Sequence, residues 1–410
     1  MLFRSDDAKS FFAVSQKQYD LIVSEPSNPW VSGVSSLFTR EFYARIKPKL
    51  TPNGIFVQWL QIYQTDYDVV ASVMKALGAE FGDYVMYETA HGDIAIIASP
   101  TKVAEPGGEL FRHADVARML ARYSVTEPSD FEIRRIGDKR LLQPYFANFG
   151  TPENSDFFPI LDLRGARDRF LGRNAQGIGE LAAYPIPVVD MLGARTPGRV
   201  TPGIYRDEGG KAARLKDALL ARQMAEFVAD GNLAGKTEFN NQLVTELEHV
   251  RDYWLKCDKT NASNARLDPL LRFAQFVNPG MPPDELRSIW AAFTESRCYQ
   301  ALSAYQRLWV TLFAAVGQRD ASTMASTVLE LFPLQKALPP PAWGLAATAD
   351  YPYEIEYLHV ALVTALLAEG KRSAAKQAWQ AVLDVKSERF KRTPMALFLD
   401  ATVNADRVSK

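Results

Sequence analysis

Two short apolar runs, YDLIVSE at 19–25 and IFVQWL at 55–60, alternate with two amphipathic segments within the first hundred residues. Between the runs, Leu37, Phe38, Phe42, Tyr43 and Ile46 recur at three- and four-residue steps, which is a helical face. TPNG at 51–54 reads as a turn. Residues 65–82 read as a second helix, capped by Thr65 or Asp66 and stopping near Gly78. Residues 83–99 read as two strands about a turn at His91, Gly92 and Asp93. Strand, helix, strand, helix and hairpin imply a parallel sheet with an antiparallel edge. Two parallel strands make too small an open sheet. The segment therefore reads as the second half of a doubly wound domain, without the half that would carry a Gly-rich nucleoside loop.

The rest of the chain divides by pattern. Residues 113–125 are helical in period, and 154–170, NSDFFPILDLRGARDRF, read as extended with Asp156 and Asp162 solvated. A stretch rich in proline and glycine at 184–204 reads as a linker or irregular wrap. It separates a mixed region, 1–183, from a helical region, 205–410. Residues 352–385 read as a helical hairpin turning at Gly370 and Lys371, with Ala361, Ala375 and Trp379 where a tetratricopeptide hairpin places small and aromatic residues. One such unit establishes no repeat. The expected fold class is α/β followed by all-α.

Composition excludes several functions. With 410 residues and a net charge of −1, the chain lacks the basic footprint of a nucleic-acid binder. His91, His113, His249 and His359 are scattered, with no metal-ligand spacing, so no metal is expected. Cys257 and Cys298 read as two separate buried thiols in a reducing compartment. The apolar runs are far shorter than the roughly 20 residues that span a bilayer. The chain as given reads as cytoplasmic, and an upstream membrane anchor stays open.

The first strand ends in a carboxylate, an amide and two prolines: Glu25, Pro26, Ser27, Asn28, Pro29 and Trp30. Ligands of doubly wound sheets bind at the carboxyl ends of the strands. Over residues 19–61, the run EPSNPW, then LFTREFY, then GIFVQW resembles the spermidine synthase family, aminopropyltransferases on the class I S-adenosylmethionine-dependent methyltransferase fold. The resemblance covers about residues 5–100 and extends weakly to 170, most closely to large bacterial spermidine-synthase-like proteins. It implies an N-terminally truncated domain. Glu25 would be the base, and Asn28, Gln58 and Trp30 would line the amine site. Asp7, Ala8 and Ser24 would contact the nucleoside substrate, decarboxylated S-adenosylmethionine or S-adenosylmethionine itself.

The sequence departs from the family where a second aspartate is expected, because Asn28 accepts a hydrogen bond without charge. The family's amine-flanking tyrosine is not evident either: Tyr87, Thr89 and His91 stand near its place. Alternatives therefore remain for several residues. Glu25 is a base or a strand-end cap, Asn28 a ligand or a turn former, and Trp30 a stacking surface or core. For the whole protein, the alternatives are a methyltransferase on the same fold, or a degenerate, non-catalytic domain with a helical interaction region. The partner expected is a small-molecule amine, with a homodimer and a protein partner for the helices left open.

Overall fold

The computed structural model describes residues 7–26, 28, 31, 33–201, 212–236, 238–257, 266–337, 354–385 and 388–405. Trp30 and positions 202–204 lie outside them. Five strands, β1 (Tyr19–Ser24), β2 (Leu50–Gln61), β3 (Asp83–Ala90), β4 (Asp93–Ser99) and β5 (Arg135–Asp138), form one sheet in the order β1-β2-β4-β3-β5. β1 and β2 are parallel and the other pairs antiparallel, as the alternation of elements predicts.

Helix α1 (Ala8–Val14) precedes β1, α2 (Arg40–Ile46) follows it, and α3 (Tyr67–Glu80) connects β2 to β3. Thr39 and Asp66 cap the last two through side-chain bonds to Phe42 N and Asp68 N. One face of the sheet is closed. Ile22, Phe56, Ala98 and Tyr84 lie in register across it and are all buried. Phe56 stacks on Phe81 at 5.5 Å and meets Tyr43 of α2 edge-on at 5.9 Å. The other face opens toward β1. Along the register Val85, Ile97, Val57 and Val23, exposure rises from 4% at Val85 to 59% at Val23. Leu21 is likewise exposed, and among the described residues no strand pairs with the outer side of β1.

Three expectations are corrected. TPNG is not a turn, because β2 runs through it. Tyr19 pairs with Leu50 and Leu21 with Ile55, so the extra residues of β2 are absorbed as a bulge. Gly54 permits this: a Cβ there would meet Tyr19 O at 2.8 Å. The extended reading of 154–170 fails because α6 (Ile160–Phe170) starts directly after Pro159. Asp156 and Asp162 are exposed but engaged, Asp156 by Lys9 and Thr39, Asp162 by Ser35. Cys257 and Cys298 are not separate thiols. They form a disulfide with Cα atoms 5.4 Å apart, so cysteine usage no longer points to a reducing compartment.

Between sheet and helices, α4 (Ala114–Ala121) falls on the expected helical segment, and α5 (Lys139–Ala147) follows β5. Beyond α6 come the single-turn α7 (Gly177–Glu180) and α8 (Val188–Gly193). Ile186, Val188, Val189 and Met191 of the proline-rich stretch are buried. The helical region is α9 (Ala213–Asp230), α10 (Asn241–His249) continuing into a π-helical turn (Val250–Leu255), α11 (Leu267–Gly280), α12 (Pro283–Thr294), α13 (Arg297–Ala301), α14 (Ala304–Gln318), α15 (Ala321–Ala337), α16 (Glu354–Ala368), α17 (Arg372–Val385), α18 (Glu388–Lys391) and α19 (Pro394–Asn404). α16 and α17 form the expected hairpin, turning at Gly370 with φ +75° and burying Ala361, Ala375 and Trp379. Tyr145 of α5 meets Phe398 of α19 at 6.2 Å, so one apolar core runs through both regions. Among the described residues, no helix is long and apolar enough to cross a membrane.

Candidate functional site

The carboxyl ends of β1 and β2 lie side by side, with Ser24 in register with Gln58. Gln58 is fully buried, and its Nε2 donates to Ser24 O at 3.3 Å and Trp59 O at 3.1 Å. Its Oε1 is buried with no hydrogen-bond partner among the described residues. A buried acceptor without such a partner is costly. Glu25 follows Ser24 and is exposed. Its carboxylate makes no hydrogen bond or ion pair among the described residues. Asn28 is half-buried, and its carbonyl accepts Val31 N at 2.9 Å, which makes a turn. That turn leads through Gly33, at φ +86°, into a 3₁₀ segment (Val34–Phe38).

Asp7 is exposed and caps α1, accepting Ser10 N at 2.8 Å. That backbone hydrogen bond holds its carboxyl below the usual aspartate range. Ala8 is the first residue of α1 and half-buried. Lys9 Nζ and Thr39 Oγ1 meet on Asp156 at 2.8 and 2.9 Å, which ties the start of α1 to the start of α2. The structure thus brings Ser24, Glu25 and Gln58 together at one strand end, and Asp7 and Ala8 to the start of α1.

Sequence reasoning passed over the far side of the same sheet edge. Glu88 pairs with Ile94, and Gln61 with Asp93, so both carboxylates stand at the end of the sheet where β1 and β2 finish. Glu88 is 2% exposed, and burial pushes its carboxyl up to about 7. Burial also raises Asp93, opposed by a hydrogen bond from the Trp59 side chain. Tyr87 is half-buried and pushed up to about 12 by burial, and Thr89 Oγ1 donates to Asp93 O at 3.2 Å. The signal for Glu88 was present in the sequence. It shares the two-residue period of Tyr84 and Met86, which face the core. Among the described residues, no group of His, Cys, Asp and Glu is arranged to hold a metal ion.

Comparison with known proteins places a likeness on this chain. A stretch of 125 residues, 30% of the chain, is 30% identical to the polyamine aminopropyltransferase of Enterobacter sp. (strain 638). A stretch of 123 residues, 29% of the chain, is 29% identical to the polyamine aminopropyltransferase of Erwinia tasmaniensis. The chain spans only 41% of the length of each of these relatives. No family model matches the chain, and no solved structure matches it. The relationship is spermidine-synthase-like at low identity.

Proposed function

We propose that the carboxyl edge of β1 and β2 is the amine-side part of an aminopropyltransferase-like site, incomplete within the described residues. The observation that carries this reading is Glu25, solvent-exposed and one residue beyond Ser24, which lies in register with the buried Gln58 at the end of a parallel strand. The likeness to two polyamine aminopropyltransferases supports the substrate class, a small amine and a sulfonium nucleoside.

In this reading the lone pair of a neutral amine nitrogen attacks the methylene carbon beside the sulfonium. The carbon–sulfur bond breaks and its electrons return to sulfur. Decarboxylated S-adenosylmethionine thereby gives up its aminopropyl group and leaves as the neutral thioether methylthioadenosine. Glu25 takes the proton that the new ammonium must lose. Asn28 and the open Gln58 acceptor orient the amine, as does Trp30, and Asp7, Ala8 and Ser24 contact the nucleoside. The uncharged Asn28 weakens ammonium binding, which disfavours a doubly charged diamine and leaves the acceptor a different amine. The open edge of β1, with no outer strand among the described residues, is where the nucleoside-binding half belongs in this reading.

The second reading, a non-catalytic domain serving the helical region, is favoured by the same open edge and by Asn28. A methyltransferase would use the same scaffold on S-adenosylmethionine. One assay separates the three. Expressed with any in-frame upstream segment, the protein is incubated with decarboxylated S-adenosylmethionine and a panel of amines, and methylthioadenosine is measured. Its release supports aminopropyl transfer. Glu25→Gln should then reduce turnover by about 100- to 10,000-fold with nucleoside binding kept. Turnover that survives Glu25→Gln makes Glu25 a cap. S-adenosylhomocysteine formed from S-adenosylmethionine indicates the methyltransferase, and no product from either donor favours the non-catalytic domain. The 410-residue chain should bind S-adenosyl ligands weakly if nothing outside the described residues completes the edge of β1, and a sub-micromolar Kd would show that this chain completes the site itself.

A further inference from the structure

Glu88 lies at the junction of the sheet and the helical region, and the proposed reaction does not use it. Its Oε2 accepts the backbone N–H of Ala213 at 2.7 Å, the first residue of α9. α9 has no cap of its own, since Ala212 precedes it. A side chain of the sheet therefore supplies the acceptor that the helix start requires. The other oxygen, Oε1, is buried without a hydrogen-bond partner. Gly179 of α7 makes room for it, because a Cβ there would stand 2.6 Å from Oε1. Three elements thus close over one carboxyl group: the β3–β4 hairpin, α7 and α9.

The charged groups around it give little support to an anion. His91 of the hairpin is nearest, with Nδ1 at 3.8 Å from Oε1, and that ring is half-exposed. Glu180 of α7 and Asp217 of α9 both add negative charge. The N–H groups of Ala213 and Gly92 work the other way. Asp217 itself is pushed up to about 6 by burial, with Glu180 adding to the rise and Lys216 of α9 opposing it. Packing has placed a carboxyl group where its neutral form fits and its charged form does not.

We propose that Glu88 is a pH-sensitive latch: its neutral form keeps the start of α9 seated on the carboxyl edge of the sheet, and ionisation loosens that seat.

The direction follows from linkage. The docked state holds the Glu88 proton more tightly than the undocked state, with about 7 against an ordinary 4.5. Docking is therefore strongest below the ordinary carboxylate range and weakens progressively as the pH rises to about 7. Above that it is level. The rest of the first turn stays held by buried Arg214, which is paired with Asp190. Ionisation therefore shifts the opening equilibrium of this turn without releasing the helix outright.

Hydrogen–deuterium exchange of the whole chain tests this. Across the pH range from about 5 to about 8, corrected for intrinsic exchange, the opening equilibrium at residues 213–218 should rise on the order of 100-fold. In Glu88→Gln the amide oxygen still accepts from Ala213, so most of the rise should be lost, leaving only the smaller part that the buried Asp217 carboxyl contributes. Asp217→Asn should keep most of the wild-type rise. A Glu88→Gln protein that retains the full rise overturns the proposal, as does an Asp217→Asn protein that loses it. If Glu88→Gln does not fold, the wild type decides, by NMR titration of the chain labelled with ¹³C at glutamate carboxyl carbons. One carboxyl titrating near neutrality supports the latch, and all titrating below about pH 5.5 refutes it.

Discussion

Replacing Asp190 by asparagine should destabilise the protein far more than so mild a change suggests. Asp190 sits in α8, within the proline-rich stretch, and its side chain is 6% exposed. Two guanidinium groups converge on it. Arg214 of α9, at 2% exposure, grips it with Nη1 at 2.8 Å from Oδ1 and with Nη2 on Oδ2. Arg319, after α14, reaches Oδ2 at 3.2 Å. Arg214 also donates to Pro279 O at the end of α11, at 3.0 and 2.9 Å. Asparagine keeps one oxygen but removes the charge, and it turns an NH₂ toward a guanidinium. Charge-assisted bonds of this kind contribute about 1.5–3 kcal/mol each, and breaking one partner of a buried ion pair costs about 3–5 kcal/mol. No solvent discount applies, since all three side chains are buried. With one core running through the 410-residue chain, that cost corresponds to a Tm drop of roughly 3–6 °C, read by calorimetry. Because Arg214 and Asp190 share the interaction, adding Arg214→Met to Asp190→Asn should cost less than Arg214→Met does alone. A Tm drop under about 2 °C with additive single effects would refute the reasoning. The stretch at 184–201 would then be a tether rather than a keystone between sheet and helices.

Two further outcomes are expected. Phe56→Ala removes a fully buried ring that stacks on Phe81 and meets Tyr43 edge-on, and should cost about 3–5 kcal/mol in urea unfolding. A cost near 1 kcal/mol would mean that the closed face of the sheet collapses around the gap. Under denaturing, non-reducing conditions, thiol titration should find no free cysteine, and two reactive thiols would contradict the Cys257–Cys298 pairing.

Much of the fold was legible where periodicity and capping agree. Asp66 before α3, the glycine turn between β3 and β4, and Gly370 between α16 and α17 all stand where local chemistry places them. The misreadings share a cause, in that tertiary context overrode a local signal. Phe157, Phe158 and Ile160 look like a buried strand, yet Pro159 starts α6, which leaves Phe157, Leu163 and Phe170 exposed. TPNG has turn chemistry, but pairing with β1 pulls it into β2. β5 is only Arg135–Asp138, too short to carry a period, and it exists because β3 offers an edge. At the candidate site the strand end carrying Glu25 was legible from its residues. The open Gln58 acceptor and the buried Glu88 depend on which face each side chain takes, and for Glu88 the alternation along β3 held that information unread.

The bulge at Gly54 and the single-sided pairing of β1 bear on the kinetics of the molecule. The β3–β4 hairpin closes over a two-residue turn, so it can order early. β1 joins through a crossover of about 25 residues, and among the described residues it bonds to one neighbour rather than two. The strand that presents Glu25 is then among the last to be laid down and among the first to fray. Glu25 and Gln58 should therefore be held together only as long as this strand stays paired, which hydrogen exchange along β1 would read. A strand paired along the outer edge of β1 would give it a second neighbour and slow that fraying.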